Sequence, residues 1–136
     1  MTFTGAKLAL FIGAQLLVLR RDDRADIPWP GRIDLPGGGR EGAETPVACV
    51  LRETREEVGL WLQPSDLSWR RRFGRNWFFA AHLPAQRGRD VVFGDEGQGW
   101  WLTSPRAFIV SPQAVPHFRP RLAAYLRHRA RVAPPR

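Results

Sequence analysis

Residues 35–60 read LPGGGREGAETPVACVLRETREEVGL, and the reading of the whole chain turns on them. Thr45 has the side chain of a good helix N-cap, and Pro46 takes the first helical position, where its missing N–H costs nothing. Val47, Leu51, Thr54 and Val58 recur at helical spacing and predict a buried stripe. Gly59 is placed to end the helix in a left-handed conformation. On this helix Glu53, Glu56 and Glu57 stand at i, i+3 and i+4, so three carboxylates share a face. Like charges at that spacing cost about 0.2–0.5 kcal/mol per pair. Glu56 and Glu57 also fall in the last turn, where the helix dipole disfavours anions by roughly 0.3–1 kcal/mol. Arg52 and Arg55 offset part of this. A hard divalent cation gives the crowding a purpose, because Mg²⁺ takes oxygen ligands and is typically shared between carboxylates and substrate phosphates. The glycines of Pro36–Gly39 let the backbone approach closely, so an amide or carbonyl there can complete a cation site or touch a phosphate. A solvated acidic face paired to arginines is the alternative reading of the same residues.

Outward from the helix, Lys7–Ile12 and Gln15–Arg20 are apolar runs separated by Gly13-Ala14, read as a hairpin or one bent strand. Arg21–Pro30 is charged, contains Pro28 and Pro30, and reads as a loop. Arg32–Leu35 reads as a short strand entering the glycine-rich turn. Downstream, Trp69–Phe73 and Asn76–Leu83 read as strands joined at Gly74, Arg87–Asp90 as a loop, and Val91–Phe93 and Trp100–Leu102 as short strands. Pro105–Val110 reads as a short helix and Arg119–Val132 as a terminal helix with Leu122, Tyr125 and Leu126 along one side. Mixed strands and helices predict α/β layering. The 136 residues fit a single domain over 1–136, and a composition of 43% hydrophobic and 25% charged residues supplies a core.

No stretch approaches the roughly 20 apolar residues of a membrane span, and no signal-peptide pattern is present. The single cysteine, Cys49, excludes a disulfide framework and a cysteine-rich zinc site, so a reducing, cytoplasmic setting is expected. Cys49 itself reads as a small buried hydrophobe. The net charge is +8, unevenly spread: Glu96 is the last acid, and Arg106, Arg119, Arg121, Arg127, Arg129, Arg131 and Arg136 follow it unopposed. Such a basic third suits an anionic partner or a solvated helix face.

The spacing Gly38-x5-Glu44-x7-Arg52-Glu53-Thr54-Arg55-Glu56-Glu57-Val58-Gly59-Leu60 resembles the Nudix box, and all seven of its fixed residues match. Thr54 at an aliphatic position is the one soft departure. The resemblance implies a Nudix-type α/β/α sandwich, a mixed β-sheet between helices, and hydrolysis of a nucleoside diphosphate linked to another group with Mg²⁺ or Mn²⁺. It implies metal-binding and catalytic roles for Glu53, Glu56 and Glu57, with the Gly38 carbonyl as a further ligand. Arg52 is implied to orient Glu53 or Glu56, and Glu44 to brace the loop. Glu53 is the favoured general base and Glu96, in the Gly94–Gly99 loop, the outside candidate for base or metal ligand; Asp95 is its weaker neighbour.

Further substrate contacts are expected from Arg20 and Arg24, with Arg21, on the early strand and loop. Trp100 and Trp101, neighbours in a strand, point to opposite faces, so one can meet a base while the other packs. Phe118, with His117, lies in the Pro116–Pro120 corner, which in nucleotide-cleaning relatives is near the base. Arg70, Arg71 and Arg72 alternate and cannot all face one site. No proline or tyrosine stands at the downstream positions that mark the ADP-ribose and dinucleoside polyphosphate subgroups. By elimination the chain looks most like the nucleoside triphosphate pyrophosphohydrolases, which release a monophosphate and pyrophosphate. Alternatives are a hydrolase of ADP-ribose or dinucleoside polyphosphates, or a non-catalytic module binding nucleotide or RNA. A nucleotide derivative is the expected partner, a membrane is not, and a monomer or homodimer is expected.

Overall fold

The structure, a computed structural model, describes residues 2–132. Strands β1 (Gly5–Ile12) and β2 (Gln15–Arg20) form an antiparallel hairpin. Strand β3 (Ile33–Asp34) borders β2, and β4 (Gly37–Gly39) pairs antiparallel with the first residues of β1, Gly5 to Lys7. Helix α1 (Pro46–Val58) follows. Then come β5 (Leu67–Phe73), β6 (Asn76–Leu83), β7 (Gly99–Thr103), α2 (Pro105–Val110) and α3 (Phe118–Val132). β6 runs parallel to β1 along its length, β5 lies antiparallel outside β6, and β7 lies antiparallel to β2. The result is one mixed sheet with the spine β3-β2-β1-β6-β5.

β1 is central, and its continuous apolar run reflects burial on both faces. Leu8, Leu10 and Ile12 join the core beneath α1, with Cys49, Val50 and Val58. Ala9 and Phe11 join the opposite core, with Phe108 of α2 and Phe118, Leu122 and Tyr125 of α3. Helices therefore cover both faces, the α/β/α arrangement expected. α1 begins and ends where the local signals placed it. Thr45 accepts a hydrogen bond from the Ala48 N–H at 3.1 Å, and Gly59 closes the helix with a φ of 70°.

Four expectations need correction. The buried stripe of α1 is Cys49, Val50, Thr54 and Val58, with Val47 and Leu51 only partly covered, because the helix sits rolled toward β1 and β4. The strand over Arg32–Leu35 shrinks to Ile33–Asp34, while part of the glycine turn, Gly37–Gly39, is itself a strand. Arg87–Asp90 falls within a 3-10 turn, Ala85–Asp90. Val91–Phe93 is no strand: the Val92 and Gly94 N–H groups bond the Val58 and Glu57 carbonyls, capping the end of α1. Those carbonyls lack partners within the helix and need donors from elsewhere. Arg136, part of the unopposed basic run, lies outside the described residues.

Candidate active site

Arg52 organises the exposed face of α1. Its Nε donates to Glu44 Oε2 at 2.6 Å and its Nη2 to Glu44 Oε1 at 3.1 Å, a two-point pairing across the loop before the helix. Nη1 donates to Glu53 Oε1 at 2.9 Å and Glu56 Oε2 at 3.1 Å, and Nη2 also reaches the Gly39 carbonyl at 2.9 Å. One guanidinium thus relieves the like-charge strain on the helix and ties it to β4. The hydrogen bond from Arg52 holds the Glu44 carboxyl below its ordinary range. Thr54, the departure from an aliphatic residue, is buried and turns its hydroxyl onto the Val50 carbonyl at 2.7 Å, so its polar atom is satisfied inside the helix.

β4 lies against this face. A Cβ on Gly38 would stand 2.7 Å from the Glu53 carboxylate, so glycine lets the strand pass with that carboxylate in place. The Gly37 N–H donates to Glu57 Oε1 at 2.7 Å. Beneath the strand, the Lys7 ammonium bonds both oxygens of the buried Asp34 (3.0 and 3.1 Å) and the carbonyls of Leu35 and Gly37 (3.1 and 2.9 Å). Arg21 Nη1 reaches Asp34 Oδ2 at 2.8 Å, and the Leu35 N–H reaches Oδ1 at 2.7 Å. Asp34 is thereby a buried charge with its lone pairs used, the condition under which such burial is tolerated.

The loop from Val91 to Gln98 brings the outside acids in. Gly94 packs on the end of α1 so closely that a Cβ there would lie 2.3 Å from the Glu56 carbonyl oxygen. At its far end the Gln98 N–H bonds the Arg20 carbonyl at 2.8 Å and the Gly97 N–H bonds Asp22 at 3.2 Å. Pinned at both ends, the loop sets Glu96 and Asp95 beside Glu41, Glu53, Glu56 and Glu57 around a cavity of ≈ 240 Å³. Two further hollows adjoin it and share Glu57 and Glu96. One, of ≈ 380 Å³, is walled by Lys7, Arg21, Trp29, Gly37–Gly39 and Phe118. The other, of ≈ 260 Å³, is walled by Arg20, Arg21, Arg24 and Asp34.

Burial pushes Glu57 up to about 8, against the pull of Lys7 and the Gly37 N–H, and burial also raises Glu53. The hydrogen bonds engage Glu53 and Glu57 through Oε1 and Glu56 through Oε2, leaving their other oxygens for a ligand. This donor set is all oxygen, which fits a hard divalent cation. Among the described residues no three acidic, imidazole or thiol groups are yet drawn close enough to hold an ion.

The structure brings together Gly38, Arg52, Glu53, Glu56, Glu57 and Glu96, and it places Phe118, Arg20 and Arg24 along the adjoining hollows. Arg24 is engaged there with Asp26 at 2.7 Å. Trp100 and Trp101 land elsewhere. Trp100 packs toward the core under α1 and Trp101 toward the core under α3, where Arg20 covers its ring at 5.3 Å. Sequence reasoning missed three residues. Lys7 and Asp34 were signalled by charges inside apolar strands. Trp29, between Pro28 and Pro30, was signalled by a large ring in a polar loop. The residue is 42% exposed, its φ is 52°, and its ring centroid stands 5.8 Å from that of His117.

A family profile described as NUDIX domain matches residues 3–125. No curated protein gives a significant match to the sequence. Among solved structures, the MutT protein from Methanosarcina mazei Go1 is 21% identical with a TM-score of 0.69, over 93% of this chain and 95% of that one. A C. elegans Ap4A hydrolase in a binary complex is 18% identical with a TM-score of 0.68, over 93% and 98%. A bifunctional NMN adenylyltransferase/ADP ribose pyrophosphatase from Francisella tularensis, complexed with AMP and Mn ion, is 16% identical with a TM-score of 0.64. That match covers 94% of this chain and 42% of that one.

Proposed function

The chain belongs to the Nudix family of pyrophosphohydrolases, and from that premise we propose that it cleaves a nucleoside triphosphate to a monophosphate and pyrophosphate with Mg²⁺ or Mn²⁺. The observation that carries this reading is the composition of the ≈ 380 Å³ hollow. Glu53, Glu57 and Glu96 stand at one end, Lys7 and Arg21 at its side, and Trp29 and Phe118 form an aromatic wall. A phosphate chain needs the first two groups and a planar base the third. The AMP and Mn ion complexed by the Francisella protein are consistent with such a ligand pair.

Glu53, Glu56, Glu57 and Glu96, with the Gly38 carbonyl, are the residues that would hold the cation. Bound there, it supplies charge neutralisation on the phosphate oxygens and a lowered pKa for water. Glu53 acts as general base: largely buried, raised above the ordinary carboxylate range and held by Arg52, its Oε2 takes the proton of the attacking water. The water oxygen bonds to phosphorus, the bridging P–O bond breaks, and its electron pair leaves with pyrophosphate. Arg52 positions Glu53 and Glu56, and Glu44 fixes Arg52. Trp29 stacks on the base, and Arg20 and Arg24 face the ligand from the adjoining hollow.

A panel of nucleoside triphosphates, ADP-ribose, NADH and dinucleoside polyphosphates, each with Mg²⁺ or Mn²⁺ and with products identified by mass, tests the assignment. The expected result is fastest turnover of a triphosphate, with pyrophosphate released. Fastest turnover of ADP-ribose or a dinucleoside polyphosphate overturns the substrate assignment and leaves the family chemistry standing.

A further inference from the structure

Residues 67–89 and 97–132 contain no acidic residue, although together they hold twelve arginines. The fold places the first stretch, as β5 and β6, beside the last, as α3. Trp69 of β5 lies 5.1 Å from the Tyr125 ring and 6.0 Å from the His128 ring. Arg71 and Arg121 both cover the Phe73 ring, at 5.2 and 5.1 Å. β5 is the outermost strand, and alternation puts its Arg71 on the α3 side with Trp69 and Phe73, while Arg70, over the Phe79 ring at 5.8 Å, and Arg72 turn to the other face; Arg71 is exposed, as are Arg127, Arg129 and Arg131 on α3. The acids of the hydrolytic site belong to α1 and the Gly94–Gly99 loop, and α1 packs on the opposite face of the sheet from α3. Charge is therefore segregated: one flank of the molecule is cationic and carries no carboxylate of its own.

We propose that the flank formed by β5 and α3 binds single-stranded nucleic acid. The guanidinium groups of Arg127, Arg129 and Arg131 along the helix, with Arg71 of the neighbouring strand, suit a phosphate backbone, and the partly open Trp69 ring beside them suits an unpaired base. An anionic bilayer matches the charge but not the apolar surface. Of the large exposed apolar side chains among the described residues, Val132 alone belongs to β5 or α3, and aromatic anchors are buried to half or more there. The inference is independent of which nucleotide the hydrolytic site cleaves.

The test is fluorescence anisotropy of the full chain with a labelled 12-nucleotide single-stranded oligonucleotide, in chelator to silence hydrolysis. With about four phosphate contacts, affinity should fall roughly 50-fold between 50 and 200 mM salt. The variant carrying Arg71→Ser, Arg127→Ser, Arg129→Ser and Arg131→Ser should bind at least tenfold more weakly with a nearly flat salt response, while melting and nucleotide turnover stay at wild-type levels. Three results overturn the proposal: no binding at 50 mM salt, equal binding by the variant, or displacement of the oligonucleotide by phosphatidylserine vesicles that sediment the protein.

Discussion

Arg52 and Gly38 are where single atoms decide most. Arg52 stands between Glu44, Glu53 and Glu56 and is itself 13% exposed. Arg52→Met leaves Glu44 and Glu53 without a counter-charge in partly buried positions. We expect a stability loss of about 2 kcal/mol in urea unfolding, below the 3–5 kcal/mol of fully buried pairs because water screens this face. Gly38→Ala tests a different property. The added methyl would lie 2.7 Å from the Glu53 carboxylate, which must move. A misplacement of that size costs about 10²-fold in rate, so kcat should fall about that far while the melting temperature changes little. Glu53→Gln, which keeps the shape and removes the proposed base, should cost about 10²- to 10⁴-fold in kcat. Trp29→Ala should act chiefly on KM, since the proposed stacking on the base lies away from the reacting phosphorus.

At the scale of elements, the loop from Val91 to Gln98 is the part most dependent on distant partners. Gly94→Val forces a side chain into the Glu56 carbonyl, 2.3 Å from the Cβ position. The expected cost is about 2 kcal/mol of stability, the range of overpacking. It should come with a loss of activity beyond that of Glu96→Gln alone, because the whole loop lifts from α1; equal losses would contradict the proposed seating. This loop also shows where the sequence stops being legible. Helix α1 can be read residue by residue because its signals are local: a cap at Thr45, a proline at Pro46, a terminator at Gly59. Val91–Phe93 has the apolar character of a strand, but the Val92 N–H, and that of Gly94 just after it, are spent on the carbonyls of a helix more than thirty residues earlier. Nothing local encodes that choice. Trp29 escapes sequence reading for a related reason: its place depends on a left-handed backbone and on the distant His117 ring. Trp100 and Trp101 do point to opposite faces, as strand alternation requires, but neither lines the three hollows around the acidic cluster.

Over the whole molecule, stability and ion binding are linked through the carboxylates that the fold buries. Glu57 is raised to about 8, against roughly 4.3 in an unfolded chain. Between these values the native state holds a proton that the unfolded state releases, so stability falls as pH rises through that window. A divalent cation favours the ionised carboxylate and should oppose the fall. Thermal melts in chelator should therefore decline from about pH 5 to about pH 8, and melts with millimolar Mg²⁺ should decline less, the gap widening with pH. A gap independent of pH would contradict the linkage.

Whether the carboxylates of α1 hold a cation is decided by Mn²⁺ titration followed by electron paramagnetic resonance, which reads ion binding without needing the substrate. The wild-type chain should bind Mn²⁺ saturably and in competition with Mg²⁺. Binding should weaken at least tenfold in Glu56→Gln and Glu57→Gln proteins that retain wild-type circular dichroism. Mn²⁺ binding of equal strength in the wild type and in both variants would show that these carboxylates do not hold the ion.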